Sequence, residues 1–94
     1  MTMNKSDLMN RLAEEKGFSL STAKEIVDMV FEDMTQALIK GDRVEIRGFG
    51  SFKMKAYKGY SGRNPRSGEN TEVKSKRLPV FKVGKDLRER VDYP

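Results

Sequence analysis

Between Lys53 and Lys82 the chain carries nine lysines and arginines (Lys53, Lys55, Lys58, Arg63, Arg66, Lys74, Lys76, Arg77 and Lys82) against two carboxylates, Glu69 and Glu72. The chemistry open to such a run is neutralisation of a polyanion by ammonium and guanidinium groups, with no proton transfer required. Catalysis is poorly supplied. With no histidine and no cysteine, the usual general base, the thiol nucleophile and the common zinc ligands are missing. The chain therefore reads as a non-enzyme, with no metal or other cofactor and no small-molecule substrate expected. Glu14, Glu15, Glu25, Asp28, Glu32 and Asp33 fall at helix-surface spacing and read as a solvated face. Gly48-Phe49-Gly50 leads into a strand rather than a helix, so it lacks the mechanism of a phosphate-cradling loop and suits a tight turn instead.

The distribution of charge says more than its sum of +5 over 94 residues. Residues 1–52 hold seven cations against nine acids, and residues 83–94 balance, so the whole surplus lies in residues 53–82 and amounts to +7. A solvated, solubilising surface is the plain reading of a basic segment; a concentrated field that attracts nucleic acid is the sharper one. The amino terminus has charges every few residues, and neither a signal peptide nor a membrane span is expected. The lack of cysteine fits the cytoplasm.

The elements that must hold these cations follow from periodicity. Asn4 or Ser6 can cap a first helix over about residues 5–16, with Asp7 in capping-box position and Gly17 as the stop. Ser19 caps a second helix that runs to Lys40, with Gly41 beyond it. Its apolar residues form two rows, Val27, Phe31, Met34 and Leu38 beside Ala23, Ile26, Val30 and Ala37, wider than a small monomer can cover. Setting aside the projection, residues 57–77, leaves 73 residues for the core, a size at which a single core rarely supplies more than about 3–5 kcal/mol, and disulfides and zinc are unavailable as staples, so a partner subunit is expected. From Asp42 the period falls to two: Val44 and Ile46, then Phe52, Met54 and Ala56, alternate with Arg43, Glu45, Arg47, Ser51, Lys53, Lys55 and Tyr57. The hairpin turns near residues 47–50. The second strand is expected to run on into residues 59–72, and a third strand, residues 73–82, returns with Val80 and Phe81 re-entering the core. A short helix, Lys85 to Val91, follows Gly84.

The fold class is therefore α+β. A single domain over residues 1–94 comprises a helical dimerisation part (1–41), a three-stranded antiparallel sheet (42–82) bearing a long β-ribbon arm at about 57–77, and a C-terminal helix within 83–94. Two arm strands of about eight residues at about 3.3 Å each reach roughly 25 Å, enough to follow a DNA groove. At the tip, Pro65 suits either a turn position or a wedge between base steps, and Arg63 beside it suits a narrow minor groove.

Three stretches, "EIRGFGSF" (45–52), "GRNPRSGE" (62–69) and "PVFKVGKDLR" (79–88), closely resemble the integration host factor/HU family of bacterial DNA-bending proteins, across essentially the whole chain. "EIRG" looks most like the beta-type subunit of integration host factor. Minor-groove bending by proline wedges is the documented behaviour of this family. The resemblance implies an intertwined homodimer or heterodimer with a related subunit, whose arms embrace double-stranded DNA in the nucleoid and serve its organisation, transcription and recombination. It implies that Pro65 intercalates, that Arg63 and Asn64 lie beside it in the groove, and that Arg66, Lys53, Lys55, Lys58, Lys74, Lys76, Arg77 and Lys82 meet backbone or groove edges. Gly84 and Lys85 would clamp a phosphate, Arg47 would touch bases with Glu45 orienting it, and Phe49, Phe52 and Phe81 would belong to the dimer core. Two other classes share the basic arm. A structural RNA-binding or ribosome-associated protein gains little from a wedge in a shallow A-form groove, and a β-augmentation module needs an apolar edge that the arm lacks. The tyrosines of Tyr57-Lys58-Gly59-Tyr60 have no role in this picture beyond cross-strand packing.

Overall fold

The computed structural model describes residues 1–63 and 66–92. It divides into two compact units, residues 1–37 and residues 38–94.

In the first unit, helix α1 (Lys5–Lys16) starts from a complete capping box. The Asp7 backbone N–H donates to Asn4 Oδ1 at 3.0 Å, and the Asn4 N–H donates to Asp7 Oδ2 at 2.8 Å. The helix ends at Gly17, whose φ of 70° is left-handed backbone that favours glycine. Helix α2 (Leu20–Ile39) follows Ser19, whose Oγ accepts from the Thr22 N–H at 3.1 Å. Lys5 Nζ meets Asp28 Oδ1 at 2.8 Å and lies 5.7 Å from the centre of the Phe31 ring, tying the two helices at their surface. Both charged groups are well exposed, so the tie is worth at most about 1 kcal/mol. Burial is sparse. Ala23 and Val27 are the buried apolar side chains among the described residues, while Met29, Val30 and Phe31 remain 57%, 48% and 40% exposed. Of the expected dimer-core row on α2, Val27 is buried, Met34 and Leu38 are half-buried and Phe31 is exposed.

In the second unit, β1 (Val44–Ile46), β2 (Gly50–Tyr57) and β5 (Lys76–Val83) form an antiparallel sheet in the order β1-β2-β5. Strands β3 (Tyr60–Arg63) and β4 (Asn70–Val73) form a separate antiparallel pair, and α3 (Lys85–Val91) closes the chain. The α+β order of two helices, antiparallel strands and a short helix is the one expected. The arm differs in one respect: its strands do not run unbroken out of the sheet. The ladder stops at Lys58-Gly59 on one side and Lys74-Ser75 on the other, yet its register survives, because Tyr57↔Lys76 and Tyr60↔Val73 are each three residues apart on both strands. Gly59 explains the interruption. A Cβ there would lie 2.7 Å from both the Ser75 nitrogen and the Val73 carbonyl oxygen, so the two backbones approach more closely than any side chain allows.

Register within the sheet pairs Phe52 with Phe81, whose ring centres are 4.8 Å apart, and Phe49 adds a third ring 5.6 Å from Phe81. Phe49 and Phe81 are nevertheless exposed and Phe52 half-buried, so this cluster, like α2, leaves apolar surface uncovered. Val80 does not join it. Strand neighbours point to opposite faces, and Val80 pairs with Lys53 on the other side, so the expectation that Val80 and Phe81 both enter one core is corrected. The Phe81 ring takes the place of a side chain on Gly50: a Cβ there would lie 2.5 Å from ring atoms Cε1 and Cζ and 2.6 Å from the Lys82 carbonyl oxygen.

Gly50→Ala should therefore cost about 1–3 kcal/mol by overpacking. Gly62→Ala, whose Cβ would meet the Tyr60 ring at an ordinary 3.8 Å, should stay within about 0.5 kcal/mol of the parent. Urea unfolding followed by circular dichroism at matched chain concentration checks both; equal midpoints would contradict the close packing at Gly50.

Candidate nucleic-acid interface

A period of two divides the β2·β5 ribbon into unlike faces. One carries Phe52 and Phe81, Met54 and Pro79, then Ala56 and Arg77. The other carries the rungs Ser51↔Lys82, Lys53↔Val80, Lys55↔Leu78 and Tyr57↔Lys76. Each of these four rungs holds one lysine opposite an uncharged partner. No two ammonium groups face each other directly, which is the arrangement that packs most positive charge onto a ribbon with least repulsion. With same-face residues about 6.8 Å apart along antiparallel strands, the stripe presents a cation roughly every rung for the length of the sheet.

At the arm end of the stripe, two ammonium groups approach the Tyr57 ring, Lys55 Nζ at 5.5 Å and Lys76 Nζ at 5.9 Å from its centre. Both are within cation–π range, so the ring holds the two lysines on this face. At the other end the stripe opens into a cleft of about 330 Å³, lined by Arg43, Glu45, Ile46, Arg47, Gly48, Gly50, Ser51, Lys82, Val83, Gly84 and Lys85. Four cations line it against the single carboxylate of Glu45. Two local features build it. The Phe49 N–H donates to the Ile46 carbonyl at 2.9 Å, with Gly48 at φ 83° closing the turn, and the Gly84 N–H donates to the Phe49 carbonyl at 2.8 Å, docking the start of α3 beside that turn. Lys85 is thereby brought to the rim that Arg47 occupies.

The structure brings together Arg47, Lys82, Gly84 and Lys85 in the cleft, and Lys53, Lys55 and Lys76 on the stripe that continues from it. Lys58 and Lys74 sit at the break in the ladder. Arg77 belongs to the opposite face, where its Nη2 comes within 3.8 Å of the place a Gly41 side chain would occupy, just past the C-terminal end of α2. A guanidinium there complements the carbonyl end of the helix. Arg63 ends β3 and donates through Nε to the Gly68 carbonyl at 3.1 Å, which ties the described parts of the arm tip together. Arg66 lies in the turn that follows. Asn64 and Pro65 lie outside the described residues.

The turn falls at residues 47–49, within the expected 47–50, so Arg47 stands in it and does not continue the alternation of β1 with Glu45. Both line the cleft, but among the described residues no ion pair joins them. Two residues of the cleft were not picked out from sequence. Ser51, 9% exposed, forms part of its wall, and Arg43 Nη2 reaches Ser51 Oγ at 3.5 Å. The signal for Ser51 was its small size at a position where Lys53 and Lys55 follow on the same face: a lysine there would fill the cleft.

The stripe should weaken the fold at low salt. Raising sodium chloride from about 0.1 M to about 1 M shortens the screening length from about 10 Å to about 3 Å and should raise the melting midpoint of the protein. The double variant Lys55→Gln/Lys76→Gln should show a flatter rise, because each exposed charge contributes no more than a few tenths to about 1 kcal/mol. Parallel salt curves for parent and variant would locate the repulsion elsewhere.

Comparison with known proteins agrees on one group. Residues 3–92 match the family described as bacterial DNA-binding protein. The chain is 44% identical to DNA-binding protein HU of Geobacillus stearothermophilus over 89 residues, 95% of this chain and 99% of that one. It is 50% identical to integration host factor subunit beta of Dechloromonas aromatica over 93 residues, 96% and 97% of the two chains. Among solved structures, a cocrystal of Anabaena HU with DNA is similar at a TM-score of 0.82 and 36% identity, covering 98% of this chain and all of that one.

Proposed function

The chain belongs to the bacterial DNA-binding protein family of HU and the integration host factor subunits, a family of architectural DNA-binding proteins and not of enzymes, and from that premise we propose that it binds duplex DNA and bends it. The observation that carries the reading is the unbroken cationic face, from the cleft at Arg47, Lys82 and Lys85 along Lys53, Lys55 and Lys76 to the root of the arm. Duplex DNA offers each strand one phosphate per about 3.4 Å of axis, so a surface with a lysine on every rung neutralises a phosphate row without needing a particular base sequence.

The arm enters the minor groove. Arg63 and Asn64 line it, Arg66, Lys58 and Lys74 meet its edges, and Pro65 wedges between base steps, unstacking one at a cost of a few kcal/mol so that the kinked duplex wraps more of the cationic face. Gly84 and Lys85 hold a phosphate of the flanking duplex, and Arg47 reads bases from the cleft. Arg77 reaches the duplex only by swinging away from Gly41, beside which its guanidinium rests. Sequence preference then comes mainly from how readily a given DNA deforms.

The protein works as a dimer, with a second copy or a related subunit. The exposed Met29, Val30 and Phe31 of α2 and the exposed Phe49 and Phe81 of the sheet supply the apolar surface that such a partner covers, and one relative is by name a subunit. Association with the nucleoid follows from DNA binding. None of the described helices is long and apolar enough to cross a membrane.

Each phosphate neutralised should contribute about −0.9 to the slope of log K against log[salt]. A titration series over several salt concentrations is expected to give a steep negative slope, and a slope near zero would sink the electrostatic reading. Pro65→Ala should weaken bending of an intact duplex, measured by fluorescence energy transfer between its ends, more than it weakens binding to a duplex already kinked by a nick. Equal losses on both would leave Pro65 as a turn residue only.

A further inference from the structure

One carboxylate stands at the cleft end of the cationic face without a partner. Asp86 is exposed, follows Lys85 in the first turn of α3, and holds Oδ2 at 3.7 Å from where a Gly48 side chain would begin, against the turn that walls the cleft. The docking of α3 puts it there. A Cβ on Gly84 would meet the Phe49 carbonyl carbon and oxygen at 3.2 Å, so the helix start is pressed to the turn about as closely as glycine permits. Cations are near in sequence: Lys85 precedes Asp86, Arg47 precedes Gly48, and Arg90 follows Asp86 at i+4. Yet Asp86 joins none of the ion pairs or hydrogen bonds among the described residues, and it does not cap α3. The helix dipole accounts for an acid in the first turn. It does not account for a carboxylate set against the Gly48 turn, where its field falls on whatever enters the cleft.

Resting on the duplex-binding reading above, we propose that Asp86 is a specificity-determining residue: it repels a flanking phosphate as that phosphate enters the cleft, and so reserves full bending for DNA that deforms readily. The cleft lies at the end of the stripe away from the arm, so a duplex seated on the arm and the stripe reaches it only through its flanks. The attraction of Arg47, Lys82 and Lys85 for those flanks offsets the cost of bending, and that cost differs from sequence to sequence. With a stronger attraction, stiff and deformable duplexes would both be drawn in fully. Asp86 trims it. A like charge at an exposed site changes affinity about 2- to 5-fold for each cleft engaged. Such a factor decides the outcome where bent and unbent complexes are close to balance, and there it separates one DNA from another.

The test uses the whole protein with Asp86→Asn, which removes the charge at nearly constant shape, and Asp86→Glu, which keeps it. Three duplexes share one central sequence: one too short to reach the cleft, one with stiff A-tract flanks and one with flexible TA and CA steps in its flanks. Asp86→Asn should bind the flexible long duplex about 2- to 5-fold more tightly for each cleft engaged, with no change on the short one. At saturating protein, fluorescence energy transfer between the duplex ends should rise on the A-tract duplex toward its value on the flexible one. Asp86→Glu should match the parent. The gain of Asp86→Asn should shrink as salt is raised, because screening shortens the range of the repulsion. Equal gains on short and long duplexes would make Asp86 one more general charge and overturn its assignment to the cleft, and no gain on any duplex would overturn it outright. An Asp86→Glu variant that behaves as Asp86→Asn would trace the effect to shape and not to charge, against the proposal. Weaker binding of Asp86→Asn to every duplex, with a lowered melting midpoint, would make Asp86 a support of α3 instead. Failure of the parent to bind any of the three duplexes would remove the duplex-binding reading itself, a different result from binding that ignores the charge at residue 86.

Discussion

The seating of the Phe81 ring on Gly50, opposite Phe52, is the contact on which the rest of the second unit depends. It fixes the offset of β5 against β2, and in a structure of period two an offset decides the face of every residue that follows. A slip of one residue would put lysines among the rings and Met54, Ala56 and Phe52 among the cations. The lysine on each rung of the outer face is thus a consequence of an aromatic contact at the far end of the ribbon, since the lysines themselves repel and can specify nothing. The same offset persists beyond the break at Gly59, where Tyr60↔Val73 remains in step with Tyr57↔Lys76. The arm inherits its register from the core without a continuous ladder between them.

Apolar surface left uncovered in both units is the second constraint, and it acts on the first. Ala23 and Val27 are too little buried area to hold two helices by themselves; burying a valine contributes about 1.5–3 kcal/mol and an alanine methyl about 0.8 kcal/mol. The conformational entropy lost by ordering each residue is of the same order as one such contribution. A partner that covers α2 and the Phe49, Phe52 and Phe81 rings would supply the missing burial and hold the Phe81 seat in place at the same time. Assembly and the aim of the cationic face are then one equilibrium, since whatever fixes the aromatic cluster fixes the stripe.

Much of this was legible in the residues because it is local. The Asn4 and Asp7 capping box, the Ser19 cap, the glycine stops and the alternation from Val44 to Tyr57 all depend on neighbours within a few positions, and each is found where spacing placed it. What failed depended on pairing across distance. Val80 and Phe81 are both apolar and, as strand neighbours, face opposite ways, but only the partner strand shows which of them meets the rings. Arg47 is a local exception: it continues an alternating pattern, but the turn bond from the Phe49 N–H to the Ile46 carbonyl ends the strand before it. Ser51 reads as an outward polar residue until β5 and Arg43 close over it. The interruption at Gly59 was invisible for the same reason: what a glycine excludes is set by the backbone opposite, here Val73 and Ser75. Of the interface, the cations of the stripe could be named from sequence, while the division of cations between faces, with Arg77 on the face opposite the stripe, required the register.

That break also bears on how the arm can serve a groove whose shape varies. A continuous ladder from β2 through β3 would carry the twist of the sheet straight into the arm and allow one approach direction. Interrupting hydrogen bonds for two residues on each strand, while glycine lets the backbones touch, preserves the facing of side chains and removes the bonds that resist a change of direction. Charge is arranged to match. Lys55 and Lys76 are held by the Tyr57 ring immediately before the break, and Lys58 and Lys74 stand within it. The cations below the break are thus carried by the sheet, and those within and beyond it by the arm. In the proposed complex, a polyanion that follows both would meet the first set on the sheet and the second on the arm, so the stripe would set where the duplex lies and the arm would follow its bend.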